Sequence, residues 1–377
     1  MRYCTSCLQP DTRPNTRFSV EGVCPACLYH ATLEDVDWDE RHKEIEEIVQ
    51  FGRSHSSGGY DCIIGVSGGK DSTRQALFVK DKLKMNPLLV SLGPPPAQIT
   101  PRGVSNISNL IEHGFDCITI NPGQETWKQL MRLSFLKYIN PFKSTELALF
   151  SSVPRLAIAH QVPLIWWGEN SALQLGESSV MGKSGSDGNN LRRMNTLDGG
   201  DISWMIENGV KKSEILQYVY PSEEEIERAG IRITFLGYFW KDWSLIDNGN
   251  FSALRGLEIR SDKPEEIGDF VGVMALDEDW TPMNQMIKYL KYGFGRATDY
   301  VNEEMRRGRM DRETALDLVN RYDGTCAPRF IQSFCDFIGI SNEEFWRIVD
   351  ERGVNHNLFT RIGVGQYEPK FTVGVGL

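Results

Sequence analysis

Apolar residues in the first two thirds of the chain fall into short unbroken runs separated by stretches with helical spacing. Ile63 to Val66, which is largely β-branched, Pro87 to Gly93, Asp116 to Asn121 and Pro163 to Trp167 are the runs, each of strand length. Between them lie helix-like patterns over Thr73–Lys84, Arg102–His113, Glu125–Ile139 and Thr145–Gln161. Val104, Ile107, Leu110 and Ile111 fall on one face of the second, and Pro154 is expected to bend or break the last. Apolar strands alternating with helices predict an α/β fold with a doubly wound parallel sheet, whose ligands sit beyond the carboxyl ends of the strands.

Ile231 to Trp240 reads as a further, strongly aromatic strand. Beyond it the pattern turns helical, over Met283–Lys291, Asp299–Arg307, Arg312–Arg321 and Asn342–Glu351. Ahead of the first strand, Glu34 to Gly52 has the spacing of an acidic amphipathic helix, with Ile45, Ile48, Val49 and Phe51 apolar. The expected organisation is a small module at 1–33, a helical linker at 34–59, a nucleotide domain at 60–240 and a mainly helical C-terminal region at 241–377.

The 377 residues are 40% hydrophobic and 24% charged, which is ordinary for a globular chain with a large core. No apolar run approaches the ~20 residues of a membrane span, and no secretory leader pattern opens the sequence, so a cytoplasmic location is expected. The net charge of −10 argues against a broad electrostatic grip on nucleic acid.

The chemistry begins where the first strand stops, at Ser67-Gly68-Gly69-Lys70-Asp71-Ser72. A strand that feeds a glycine turn and then a helix leaves unpaired N–H groups and a positive dipole end facing an anion. Gly68 and Gly69 let backbone approach a phosphate, Ser67 and Ser72 supply hydroxyls, and Lys70 supplies a cation. Asp71 would repel a bare phosphate, and Mg²⁺ between the two resolves the conflict. The spacing is not that of a Walker A loop, because Gly68 and Gly69 directly precede Lys70. The segment resembles the PP-loop, Ser-Gly-Gly-x-Asp-Ser, of the N-type ATP pyrophosphatases. That resemblance implies the adenine nucleotide alpha hydrolase-like fold, ATP cut between its α and β phosphates, and AMP passed to a carbonyl oxygen.

Gly168-Glu169-Asn170 ends the fourth strand and should face the same cleft, making Glu169 either a Mg²⁺ ligand or polar orienter, or a solvated loop carboxylate. The polar, glycine-rich stretch Leu173–Asp201 carries Lys183, Arg192 and Arg193 and reads as a lid that clamps a phosphate or sugar nucleotide, or as a plain connector. Lys288 to Asp299 alternates aromatics, glycines and cations, Lys291 and Arg296 among them. Such a segment can stack a sugar or base and hold an anion, although Gly293 has the look of a helix C-cap.

Four of the eight cysteines form two knuckles, Cys4-x-x-Cys7 and Cys24-x-x-Cys27, with 16 residues between them. Four thiolates so spaced can close a tetrahedral, structural Zn²⁺ site, a redox or sulfur-carrying pair being the lesser reading. Cys62 and Cys117 lie inside strand runs and read as core thiols.

Taken in order, the knuckles, the PP-loop, Trp166-Trp167-Gly168-Glu169-Asn170, Leu236-Gly237-Tyr238-Phe239-Trp240 and Lys291 to Asp299 resemble the N-acetyl sugar amidotransferases of bacterial surface-polysaccharide and flagellin-glycan biosynthesis. The resemblance covers most of the chain. It implies an ATP- and Mg²⁺-dependent enzyme that adenylates the N-acetyl group of a sugar or sugar nucleotide and replaces its oxygen with ammonia, giving an acetamidino group. Lys70, Asp71 and Glu169 would be the catalytic residues. Residue 2 is Arg and no Gly-x-Cys-x-Gly elbow occurs, so a built-in glutaminase is not expected. The resemblance implies a separate class I glutaminase subunit, with a cyclase-like partner beside it. A tRNA-modifying PP-loop sulfurtransferase is the alternative, disfavoured by the acidic balance and by the scatter of Cys62, Cys117, Cys326 and Cys335. A nucleotide-sensing subunit without turnover is a third reading.

Overall fold

The computed structural model describes residues 1–169, 176, 186–194 and 197–376. Five parallel strands form its sheet: β1 Cys62–Val66, β2 Pro87–Leu92, β3 Asp116–Ile120, β4 Leu164–Trp167 and β5 Arg232–Phe235, in the order β3-β2-β1-β4-β5. This is the doubly wound arrangement expected from the alternating runs. The register runs Cys62 opposite Pro87 to Val66 opposite Ser91 between β1 and β2, and Ile63 opposite Ile165 between β1 and β4. The direction of winding reverses between β1 and β4, so the crevice for a ligand lies beyond those two strand ends.

The period of two along each strand sorts side chains into two cores. Ile63, Leu88, Val90, Ile165 and Trp167 face one, with the helices Gln124–Tyr138 and Lys143–His160. Cys62, Ile64, Val66, Leu89 and Trp166 face the other, with the helices Trp38–His55, Lys70–Asp81 and Pro101–Glu112. The helix Lys143–His160 runs through Pro154 instead of breaking there.

The strand expected over Ile231–Trp240 is short. It ends at Phe235, and Leu236–Phe239 turns as a 3₁₀ segment. The cause is steric: Gly237 passes so close beneath the end of β4 that a Cβ there would sit 2.7 Å from the Glu169 carbonyl oxygen.

The C-terminal region shares both cores. Trp280, Met283, Phe334, Phe345 and Phe359 pack with the β1–β4 face, and Trp243, Leu245, Val273 and Tyr300 with the opposite face. Hydrophobic packing is therefore continuous across the boundary expected at residue 240. Elements of this region without a counterpart in the expected pattern include the helices Leu245–Ala253, Pro264–Ile267 and Pro328–Ile338, and an antiparallel hairpin of β6 Phe359–Gly363 and β7 Gln366–Pro369. Among the described residues no helix is long and apolar enough to cross a membrane.

Residues 1–33 dock on the helix Arg296–Arg306. Leu8 packs against Val301 and its N–H donates to Asn302 Oδ1 at 2.8 Å, while Met305 lies against the four cysteines.

Candidate functional site

The helix Lys70–Asp81 starts as soon as the glycine turn ends. Its N-cap is Gly69, which brings no side chain to the first-turn N–H groups, so these stay available to an oxyanion. Gly68 has φ +71, and a Cβ there would sit 3.1 Å from Asn106 Cβ and 3.2 Å from the Ile107 amide nitrogen. Only glycine meets both the left-handed backbone and the close approach of the neighbouring helix.

Lys70 is almost wholly buried, at 2% exposure. Its Nζ donates to Asp71 Oδ2 at 2.7 Å and lies 2.8 Å from Met274 Sδ. The other carboxylate oxygen of Asp71 accepts from Asn248 Nδ2 at 2.6 Å. Asn248 Oδ1 in turn accepts from Arg74 at 2.6 Å, and Arg74 also pairs with Asp242 at 2.7 Å. Ser252 adds a hydroxyl donated to the Lys70 carbonyl at 2.8 Å. The helix Leu245–Ala253 thus clamps the loop's two charged residues. Asn248 and Ser252 were not legible in the sequence, since a lone Asn and Ser on an unmarked helix carry no motif.

At the end of β4, Gly168 packs against Gln75, where a Cβ would meet Oε1 at 2.8 Å, and its carbonyl accepts from the Trp243 indole at 2.6 Å. Glu169 follows, half-buried. Burial first, then the Asp71 carboxylate, pushes its carboxyl up to about 7. A cation between the two would offset the repulsion, and the pair could hold one.

These groups share one cavity of about 510 Å³, within the range of small-molecule sites. Its wall includes Ser67, Gly69, Lys70, Asp71, Ser72, Gln75, Trp127 and Glu169. The C-terminal region adds Met274, Asp277, Glu278, Gln285 and Arg296. Burial pushes Asp277 up, and burial together with Asp277 pushes Glu278 up to about 7. Glu278 is occupied as a helix cap, accepting the backbone N–H groups of Trp280 at 2.6 Å and Thr281 at 3.0 Å.

Arg296, anticipated as a substrate contact, lines this cavity. Lys291 does not: its Nζ donates to the carbonyls of Tyr138 and Ile139 at 3.0 and 2.8 Å, and so caps the helix Gln124–Tyr138. Arg192 donates to the Gly199 carbonyl at 2.8 Å, and Arg193 pairs with Glu223 at 3.3 Å. Both have partners at the surface and lie outside the cavity wall. Lys183, Asn170 and about half of the anticipated lid, residues 173–175, 177–185 and 195–196, lie outside the described residues.

Cys4, Cys7, Cys24 and Cys27 are buried, and their sulfurs all lie within 4.8 Å of one another. Backbone N–H groups of Ser6 and Gln9 point at the sulfurs of Cys4 and Cys7, each at 3.4 Å, and the Cys24 N–H points at Cys4 Sγ at 3.2 Å. A set of four soft donors, braced by amides that favour thiolate, suits a tetrahedral zinc ion. The cluster stands apart from the cavity wall.

Comparison with known proteins bears on the C-terminal half of this site. Residues 266–368 match the family described as LPS biosynthesis protein WbpG-like, C-terminal domain. The match takes in Met274, Asp277, Glu278, Gln285 and Arg296 of the cavity wall. An uncharacterized protein of Methanocaldococcus jannaschii is 28% identical over 111 residues, covering 29% of this chain and 39% of that protein. The chain therefore spans well under half of that relative's length. Distant structural likenesses include the NH3-dependent NAD synthetase of Campylobacter jejuni, at 16% identity and a TM-score of 0.28, covering 52% of this chain and 95% of the other. The NMN synthetase of Francisella tularensis gives 14% and 0.28, covering 60% and 99%. The U34-tRNA thiolase of Methanococcus maripaludis with its [4Fe-4S] cluster gives 14% and 0.26, covering 72% and 79%. Over residues 266–368 the chain is thus similar to the C-terminal domain of WbpG-like LPS biosynthesis proteins.

Proposed function

We propose that the chain is an ATP-dependent amidotransferase of surface-glycan biosynthesis, which adenylates the N-acetyl carbonyl of a sugar or sugar nucleotide and lets ammonia replace the oxygen. One observation carries the reading: residues of the Ser67–Ser72 loop and of the WbpG-like match line the same cavity.

An amide carbonyl is a poor electrophile. Attack of its oxygen on the α-phosphorus of ATP expels pyrophosphate and leaves AMP on the oxygen as an imidate. Ammonia then adds to the imidate carbon and AMP departs, giving the acetamidino group. The free N–H groups ahead of Lys70, the Ser67 and Ser72 hydroxyls and the Lys70 ammonium would receive the charge that gathers on pyrophosphate. Bound Mg²⁺ supplies further neutralisation of that charge, and Asp71 and Glu169 are the residues that would hold it. Lys70 leaves Met274 and Asp71 as the phosphates arrive, because its present partners occupy the ammonium.

No step needs a protein nucleophile, and among the described residues no cysteine or histidine lines the cavity. That disfavours sulfur transfer. Cys62 is fully buried within β1, and burial pushes Cys326 and Cys335 up to about 12, far from a reactive thiolate. Ammonia is scarce at neutral pH, so a separate class I glutaminase subunit, with a cyclase-like protein beside it, is the proposed source.

The mass of the product decides the reaction class. Incubation with ATP, Mg²⁺, ammonium and acetamido sugars should lower the mass of one sugar by about one unit, as oxygen gives way to NH. A gain of about sixteen units would mean sulfur transfer, and an unaltered panel with ATP intact would overturn the assignment.

A further inference from the structure

We propose that the part of the cavity bounded by Arg296 is a subsite for an oxyanion, a phosphate or carboxylate carried by the acceptor, built by Arg296 with Lys288 and Arg13 behind it. The inference deepens the reading above and rests on this cavity being the place where nucleotide and acceptor meet.

Three cations converge on one carboxylate here. Arg13 pairs with Asp299, Lys288 Nζ lies 2.8 Å from the same carboxylate, and Arg296 lies 3.7 Å away. The side chains are 12%, 22% and 16% exposed, and Asp299 is 15% exposed. Arg13 and Lys288 also lie against the Phe294 ring, 4.5 and 4.6 Å from its centre. A single carboxylate cannot balance three cations in a site this dry, and holding uncompensated charge there is costly.

The neighbouring carboxylates are occupied. Asp323 accepts from the Gly295 and Thr298 amides at 2.7 and 3.2 Å and from the Thr298 hydroxyl. Asp269 accepts from the amides of Val271 and Gly272 at 2.8 and 2.9 Å and lies 3.3 Å from the Tyr300 hydroxyl. Arg296 meanwhile forms part of the cavity wall, and its buried Nε makes no hydrogen bond within the chain. Lys291, five residues earlier, shows what a satisfied cation looks like here, with two carbonyls on its ammonium. An oxyanion at Arg296 would supply the missing counter-charge with a planar, directional partner.

Arg13 gives the N-terminal module a part in this subsite. It leaves the loop between the two cysteine knuckles, with its Nε donating to Gln9 Oε1 at 2.7 Å, and reaches Asp299 across the interface. Arg13 is thus a positioning residue: it shares the load on Asp299 and leaves Arg296 turned to the cavity.

Calorimetric titration of inorganic phosphate into the full-length protein tests this, with the glycine loop occupied by Mg²⁺ and a non-hydrolysable ATP analogue. Saturable binding is expected, weakened about tenfold or more by Arg296→Met and several-fold by Arg13→Met. The exposed Arg193→Met should leave it unchanged. Acetate in place of phosphate identifies the source: equal affinity points to an acceptor carboxylate, and much weaker affinity to an acceptor phosphate. Undiminished phosphate affinity in Arg296→Met, or phosphate bound only while the loop is empty, overturns the subsite. Failure of the ATP analogue to bind would instead strike the nucleotide reading, and the Arg296→Met comparison without analogue would still decide the subsite.

Discussion

Asn248 is the residue whose replacement speaks most clearly about how the loop is held. It is fully buried, donates to Asp71 at 2.6 Å and accepts from Arg74 at 2.6 Å. Asn248→Ala removes both bonds. Hydrogen bonds to charged groups are worth about 1.5–3 kcal/mol each. The Arg74 bond belongs to the fold, and its loss should lower the melting temperature by a few degrees. The Asp71 bond fixes a carboxylate proposed to hold Mg²⁺ with the triphosphate. If that fixing is expressed in the transition state, kcat/KM for ATP should fall by about ten- to a hundredfold. Asn248→Asp separates the two roles. It keeps a partner for Arg74 but sets a second carboxylate against Asp71, so the melting temperature should recover while activity does not. The assay is pyrophosphate release against Mg²⁺ and ATP concentration, alongside thermal melts. An Asn248→Ala protein that melts early yet keeps kcat/KM within about threefold of the parent would refute the reasoning and leave Asn248 a purely structural residue.

Lys70→Met should leave the fold intact, since the side chain is buried beside Met274, and should cut pyrophosphate release by about a hundredfold or more, as read in a coupled assay. Gly68→Ala forces a Cβ onto φ +71 against Asn106 and should cost about 1–2 kcal/mol in urea unfolding, with weaker binding of ATP. Glu169 has its native pKa raised to about 7, so the folded protein holds a proton that the unfolded chain releases near 4.5. Its contribution to stability is present below the unfolded value and is lost as pH rises through about 7. Glu169→Gln should flatten that decline, which paired melts at about pH 5 and about pH 8, below and above the folded value, would show. Chelation of the four-cysteine site should release about one equivalent of zinc and destabilise residues 1–33 first, seen as early hydrogen exchange there, because its buried cluster is little more than the cysteines and Ala26.

The sheet was legible because burial on both faces leaves unbroken apolar runs, as at Ile63–Val66 and Leu164–Trp167. The phosphate loop was legible because a glycine turn between strand and helix has a local signature. The knuckles were legible for the same reason. Distant partners were not: Asn248, Ser252, Met274 and Asp277 reach the cavity only through the packing of the C-terminal region on the sheet. The cations show the same limit. Lys291 and Arg296 stand five residues apart in one segment of similar composition, yet one caps a helix and the other lines the cavity. Spacing cannot tell these apart, because the difference lies in which neighbouring element each side chain meets. The strand overrun at Leu236–Trp240 has the same origin, since its aromatics suit a strand while Gly237 obeys the crowding under β4.

Residues 67–72 are proposed to hold the phosphates of ATP while adenylate moves to an acceptor. Phosphorus NMR of ATP turned over by the full-length protein with ammonium and its acceptor sugar tests it most directly. AMP and pyrophosphate in equal amounts, absent in Lys70→Met, are predicted; ADP and inorganic phosphate would contradict it.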